Sequence, residues 1–146
     1  MEAADLELRN ATYRTFVELG RAPAAAEVAT AIGRSEADVR DGWRRLHDAH
    51  ALVLDGAGEL RMANPFSAVP TPFVVDAAGR QWYANCAWDA FGIGAALGVD
   101  SVIHSACPDC EEPIWLTVRD GQPDDTDLVF HVLVPAVTWW QDIGFT

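Results

Sequence analysis

The 146-residue sequence contains no lysine, and its 10 arginines face 22 acidic residues, for a formal charge of −12 at pH 7. Binding to nucleic-acid phosphates or to an anionic bilayer surface needs a cationic face, so this balance argues against both partners. The shortage of base holds along the chain: 8 arginines face 11 acids up to Met62, and 2 face 11 beyond it. Long apolar runs are also missing. No stretch approaches the ~20 residues that cross a bilayer, and the opening MEAADLELRN has no apolar leader core. Cysteine is scarce, with only Cys86, Cys107 and Cys110. Three thiols, odd in number, cannot form a secreted disulfide framework and suit a reducing compartment, so a cytoplasmic location is expected.

What remains is rich in apolar material, 50% of residues, enough for a folded core. Residues 6–19 carry apolar side chains at mostly helical spacing before Gly20. A second helix opens near Pro23 and stops at Gly33, and a third follows Ser35, with Asp38 completing a capping-box pattern. In that third helix Val39, Trp43 and Leu46 recur at i, i+4 and i+7, and the helix is expected to run to about His50. Leu52–Leu54 and Glu59–Met62 flank Asp55-Gly-Ala-Gly58 as a hairpin. Three short helices and a β-wing resemble a winged helix-turn-helix over residues 1–63.

The three prolines of NPFSAVPTP, beginning at Asn64, exclude a regular helix and predict an extended connector. Beyond it, hairpin strands are expected at Phe73–Val75 and Gln81–Tyr83, a helix over 85–97, and strands at Val102–His104, Ile114–Val118 and Leu128–Val134. The fold class is therefore α+β, with a three-helix module (1–63) joined to a mixed strand and helix core (64–146). The acidic run from Asp120 to Asp127 reads as a solvated loop, and Trp139-Trp140 as packing that ties down the chain end.

Two groups of residues carry chemistry. On a helix over 85–97, Cys86 and Asp89 are i and i+3 and share one face. A thiolate is a soft nucleophile and a preferred ligand of soft metals, and a helix N-terminus lowers its pKa. The carboxyl could deliver a proton if burial keeps it protonated. The second group, Cys107-Pro-Asp-Cys110, has the spacing to chelate one metal. His104 stands close in sequence, and Cys86 or Asp109 could complete a set, with Zn(II) one possible occupant. His47 and His50 fit the end of the third helix, where cations are favourable. His131 falls in an apolar strand pattern, and no histidine is assigned a role.

The runs NPFSAVPTPF (64–73), WYANCAWDAFGIGAALG (82–98), CPDCEEPIWLTV (107–118) and LVPAVTWWQDIGFT (133–146) resemble the alkylmercury (organomercurial) lyases, especially lyase-like relatives with a CPxC segment. NCAWDAFG after a proline-rich connector is the most specific part. The resemblance implies cofactor-free protonolysis of a carbon–mercury bond in mercury resistance. Cys86 matches the thiol that takes the organomercurial and Asp89 the proton donor. Hydrocarbon and Hg(II) are the implied products, with Hg(II) passed to cellular thiols or a mercuric reductase. In the family a second active cysteine joins from the C-terminal part, and in the resembling relatives it follows a segment like WWQDIGFT. The resemblance leaves that thiol unmatched up to Thr146, so impaired turnover is expected unless a longer native chain, a second chain, or Cys107 or Cys110 supplies it. Two alternatives stay open: a non-catalytic soft-metal binder or sensor using Cys86, Cys107 and Cys110, and a winged-helix regulator, which the charge balance disfavours.

Overall fold

Gly20 and Gly33 stop the first two helices and Ser35 starts the third where the sequence predicts, while the first helix begins three residues earlier than expected. The computed structural model describes residues 2–125, 127–129, 131–132 and 134–144. Helix α1 spans Ala3–Leu19 and closes on Gly20, whose φ of 71° places it in the left-handed region that favours glycine. Helix α2 (Ala25–Ile32) is entered through Glu27, whose carboxylate accepts from the Ala24 amide at 2.8 Å and is gripped by Arg21. Helix α3 covers Glu36–Asp48. Its Ser35 hydroxyl accepts from the Asp38 amide at 3.1 Å and donates to the Asp38 carboxylate at 2.7 Å, so the shorter acid meets the cap hydroxyl.

The three helices pack through α3. Val39, Trp43 and Leu46 are fully buried, as their spacing predicts, and the Trp43 indole donates to Thr12 Oγ1 at 2.9 Å. Gly42 lets the α1 side chain Leu8 come so close that a Cβ there would lie 2.2 Å from Leu8 Cδ2. Arg45 closes the edge of this interface on Asp5, at 2.8 Å.

The hairpin follows as β1 (Val53–Leu54) and β2 (Leu60–Ala63), and a third strand, β3 (Phe66–Ser67), pairs with β2. The proline-rich connector is thus extended as expected, but it contributes a strand to this small sheet. Position 63 lies at the end of β2, so β2 and β3 stand on either side of it. A five-stranded antiparallel sheet is formed by β4 (Val74–Ala77), β5 (Arg80–Tyr83), β6 (Ser101–Ala106), β7 (Pro113–Arg119) and β8 (Gln122–Pro123), in the order β5-β4-β6-β7-β8. Phe66 links the two sheets by a bridge to Ala84, and its ring centroid lies 5.2 Å from those of both Phe16 and Trp82. One hydrophobic cluster runs from Leu8 in α1 to Leu116 in β7. The fold is α+β.

Helix α4 (Ala87–Leu97) lies over β4 and β6. Its two interior glycines, costly for a helix, serve this packing. A Cβ on Gly94 would lie 2.6 Å from Ser101 Oγ, and one on Gly92 3.0 Å from Pro65. One expectation needs correction. The described residues of the stretch 128–134 form no strand, and Phe130 and Leu133 lie outside the described residues. The pairing of β7 ends instead with the short β8, after which Asp124 turns back and its carboxylate accepts the Thr117 amide at 2.9 Å. That bond, which holds the Asp124 carboxyl below its ordinary range, also makes one member of the acidic run a structural cap. A 3-10 helix, Ala136–Gln141, ends the described chain, and its Trp140 stacks on His50 with centroids 4.0 Å apart. No helix among the described residues is long and apolar enough to cross a membrane.

Candidate active site at the start of the fourth helix

Cys86 is the N-cap of α4 and Asp89 lies in its first turn. The i and i+3 spacing therefore does place thiol and carboxyl on one helical end, and both line a cavity of about 280 Å3. Met62, Phe73, Val132, Val134, Trp139 and Ile143 supply an apolar wall to this cavity, while Asn64, Asn85 and His131 add polar edges. Such a mixture suits a small ligand with a hydrocarbon part and one reactive end.

Burial pushes both groups upward. Desolvation pushes the Asp89 carboxyl above its ordinary value, outweighing its hydrogen bonds with Asn85 and Cys86. A carboxyl so placed keeps its proton to higher pH, as a general acid must. The Cys86 thiol is also pushed up by burial, and the neighbouring Asp89 charge acts in the same direction. The helix-end amides of Asp89 and Trp88 do favour the thiolate, as the sequence suggests, but burial outweighs them. The resting site therefore pairs a thiol with a carboxyl that resists ionisation.

Asn85, which the sequence reading passed over, organises the donor. Its Nδ2 donates to Asp89 Oδ2 at 3.0 Å and faces Asn64 Oδ1 at 3.2 Å and the Phe66 carbonyl at 3.3 Å. One amide thus joins the proton donor to the connector that carries β3. The i, i+4 spacing of Asn85 and Asp89 was the available signal.

The other sequence candidates lie elsewhere. Cys107 and Cys110 sit in the turn between β6 and β7 and do not line the cavity. Cys110 is exposed, and the Cys107 thiol is held below its ordinary value by the amides of Cys110 and Asp109 and by the Cys110 side chain. His104 Nε2 contacts Asp76 Oδ2 at 2.6 Å, and its ring packs edge-on against Trp115. Among the described residues no three His, Cys, Asp or Glu side chains gather as a metal-binding group, so the Cys-Cys-His set is not assembled here. His131, expected in a strand, stands at the cavity edge. Trp139 faces the cavity and donates its indole N–H to the Val134 carbonyl at 2.9 Å, so the tryptophan pair does pack the chain end.

Comparison with known proteins bears on this arrangement. A family model of the alkylmercury lyases matches residues 66–146. Among solved structures, the mercury-bound form of MerB2 is similar, with a TM-score of 0.65 and 25% sequence identity over 82% of this chain. The similarity spans 59% of the MerB2 chain. A comparison with curated proteins gave no match.

Proposed function

The chain belongs to the alkylmercury lyase family, and on that premise we propose that it cleaves the carbon–mercury bond of small organomercurials by protonolysis. The observation that carries this reading is the pairing of Cys86 with an Asp89 carboxyl that burial pushes above its ordinary value, both facing a cavity with an apolar wall. In the first step the Cys86 sulfur bonds mercury, displacing the ligand opposite the carbon, and that ligand and the thiol proton leave to solvent. Soft sulfur and soft mercury form this bond readily even though burial disfavours the free thiolate. In the second step Asp89 gives its proton to the mercury-bound carbon as the carbon–mercury bond breaks. The hydrocarbon departs, Hg(II) stays on the Cys86 thiolate, and the Asp89 carboxylate, now charged, faces it.

Cys86 and Asp89 supply the capturing sulfur and the proton. Cys107 and Cys110 do not line the cavity, so the second sulfur ligand comes from a monothiol in solution and turnover without one is slow. The apolar wall holds the organic group, and Asn85 fixes the carboxyl on the reacting side. Hg(II) then passes to cellular thiols or a mercuric reductase in a reducing cytoplasm. Intact-protein mass spectrometry after phenylmercury treatment tests the first step: an adduct surviving excess monothiol is expected at Cys86. Equal retention by a Cys86→Ser variant would refute this role.

A further inference from the structure

We propose that the Cys107-Pro-Asp-Cys110 turn is a second, exposed soft-metal site that chelates one two-coordinate cation of the Hg(II) type through both sulfurs. This goes beyond the cleavage reading and stands independently of it.

The turn is built as a rigid clip. Strands β6 and β7 pair residue by residue up to Ala106 and Pro113, which fixes both ends of the loop. Two backbone bonds close it, from the Cys107 amide to the Glu112 carbonyl and from the Glu111 amide to the Cys107 carbonyl, both at 2.9 Å. Glu111 adopts a left-handed φ of 59° to make that closure, and Pro108 restricts the backbone within it. With both ends of the turn fixed, Cys107 and Cys110 are held three positions apart in one closed loop, and the amides of Cys110 and Asp109, with the Cys110 side chain, hold the Cys107 thiol below its ordinary value. Backbone donors grouped in a turn support a thiolate ligand in this way.

Donor number selects the cation. A closed Zn(II) site takes four ligands, and no third His, Cys, Asp or Glu group joins these thiols among the described residues. Two thiolates do satisfy a soft cation that prefers two sulfur ligands. Binding replaces two S–H bonds by two Hg–S bonds, releases two protons to solvent and leaves the dithiolate complex neutral. Asp109, Glu111 and Glu112 on the same exposed turn add a negative field that draws cations to it.

The chelate distinguishes this site from the cavity, where one sulfur acts. The test uses full-length, phosphine-reduced protein carrying Cys86→Ser, titrated with inorganic Hg(II) against excess monothiol and read by native mass spectrometry. One Hg(II) per chain should persist. Adding Cys110→Ser, an exposed change, should weaken retention by about a hundredfold, the scale of losing an intramolecular second ligand. Circular dichroism on the same samples confirms the fold, and Cys107→Ser should repeat the loss. Retention unchanged by either serine, or no Hg(II) retained by Cys86→Ser with both turn thiols intact, would overturn the proposal. Phenylmercury capture by Cys86 in a Cys107→Ser/Cys110→Ser chain reports separately on the cavity.

Discussion

Replacing Asp89 by asparagine should separate capture from cleavage. Asparagine has nearly the same shape, and its side-chain oxygen can accept from Asn85 Nδ2 as Asp89 Oδ2 now does at 3.0 Å. The amide carries no transferable proton. General-acid catalysis contributes roughly a hundred- to ten-thousandfold, about 3–5 kcal/mol in barrier height, and the variant should lose that much in hydrocarbon release. Capture should not suffer, because the Cys86 sulfur is untouched and, where Asp89 would be ionised, losing its charge favours the thiolate. The assay is single-turnover release of benzene from a preformed phenylmercury adduct, followed across pH with a monothiol present as a second sulfur ligand. Wild-type release should be fastest where Asp89 is protonated and should fall as pH rises through its raised value, above the range of an exposed aspartate. The variant should be slow and flat. Stability follows the same sign: a carboxyl raised on folding stabilises the fold below its unfolded value, and that gain disappears as pH rises through the folded one. Asp89→Asn should therefore unfold no more easily than wild type at neutral pH. Wild-type rates and an unchanged pH profile in a folded Asp89→Asn protein would refute the assignment of Asp89 as the proton donor.

Asn85→Ala should slow cleavage with capture intact and cost about 1–3 kcal/mol in urea unfolding, because the Phe66 carbonyl and Asp89 lose a shared donor. In single turnover the descending, high-pH limb of its profile should shift, a change that simple destabilisation does not produce. Gly42→Ala should destabilise the helical half by about 1–3 kcal/mol, since its Cβ would stand 2.2 Å from the buried Leu8; chemical denaturation would show it. Duplex DNA should not bind with sub-micromolar affinity near ~0.15 M salt, because 22 acidic residues outnumber 10 arginines, and fluorescence anisotropy measures this directly.

Local signals were legible in the sequence. Gly20, Gly33 and Gly98 end helices in left-handed conformations, and the apolar spacing in α3 identifies its buried face. Cys86 and Asp89 were readable for the same reason, since neighbouring turns of one helix fix their relation. Features made by distant segments were not. The role of Asn85 depends on carbonyls carried by the connector, about twenty residues earlier, and β3 arises because Phe66 can pair beside β2 while filling the space between Phe16 and Trp82. The apolar pattern of 128–134 looked like a strand because cavity lining and sheet packing demand the same residue types; Val132 and Val134 in fact face the cavity. The separation of the Cys107–Cys110 turn from Cys86 is likewise set by sheet topology, which spacing along the chain does not encode.

The most direct measurement of the central claim is the isotopic composition of benzene released from phenylmercury-loaded protein in D2O under single turnover. Protonolysis by Asp89, whose proton exchanges with solvent, predicts benzene carrying one deuterium, released by wild type, strongly slowed in Asp89→Asn and absent without specific loading in Cys86→Ser. No benzene from the loaded wild-type protein with a monothiol supplied as second sulfur ligand, or equal release by Cys86→Ser, would contradict the account.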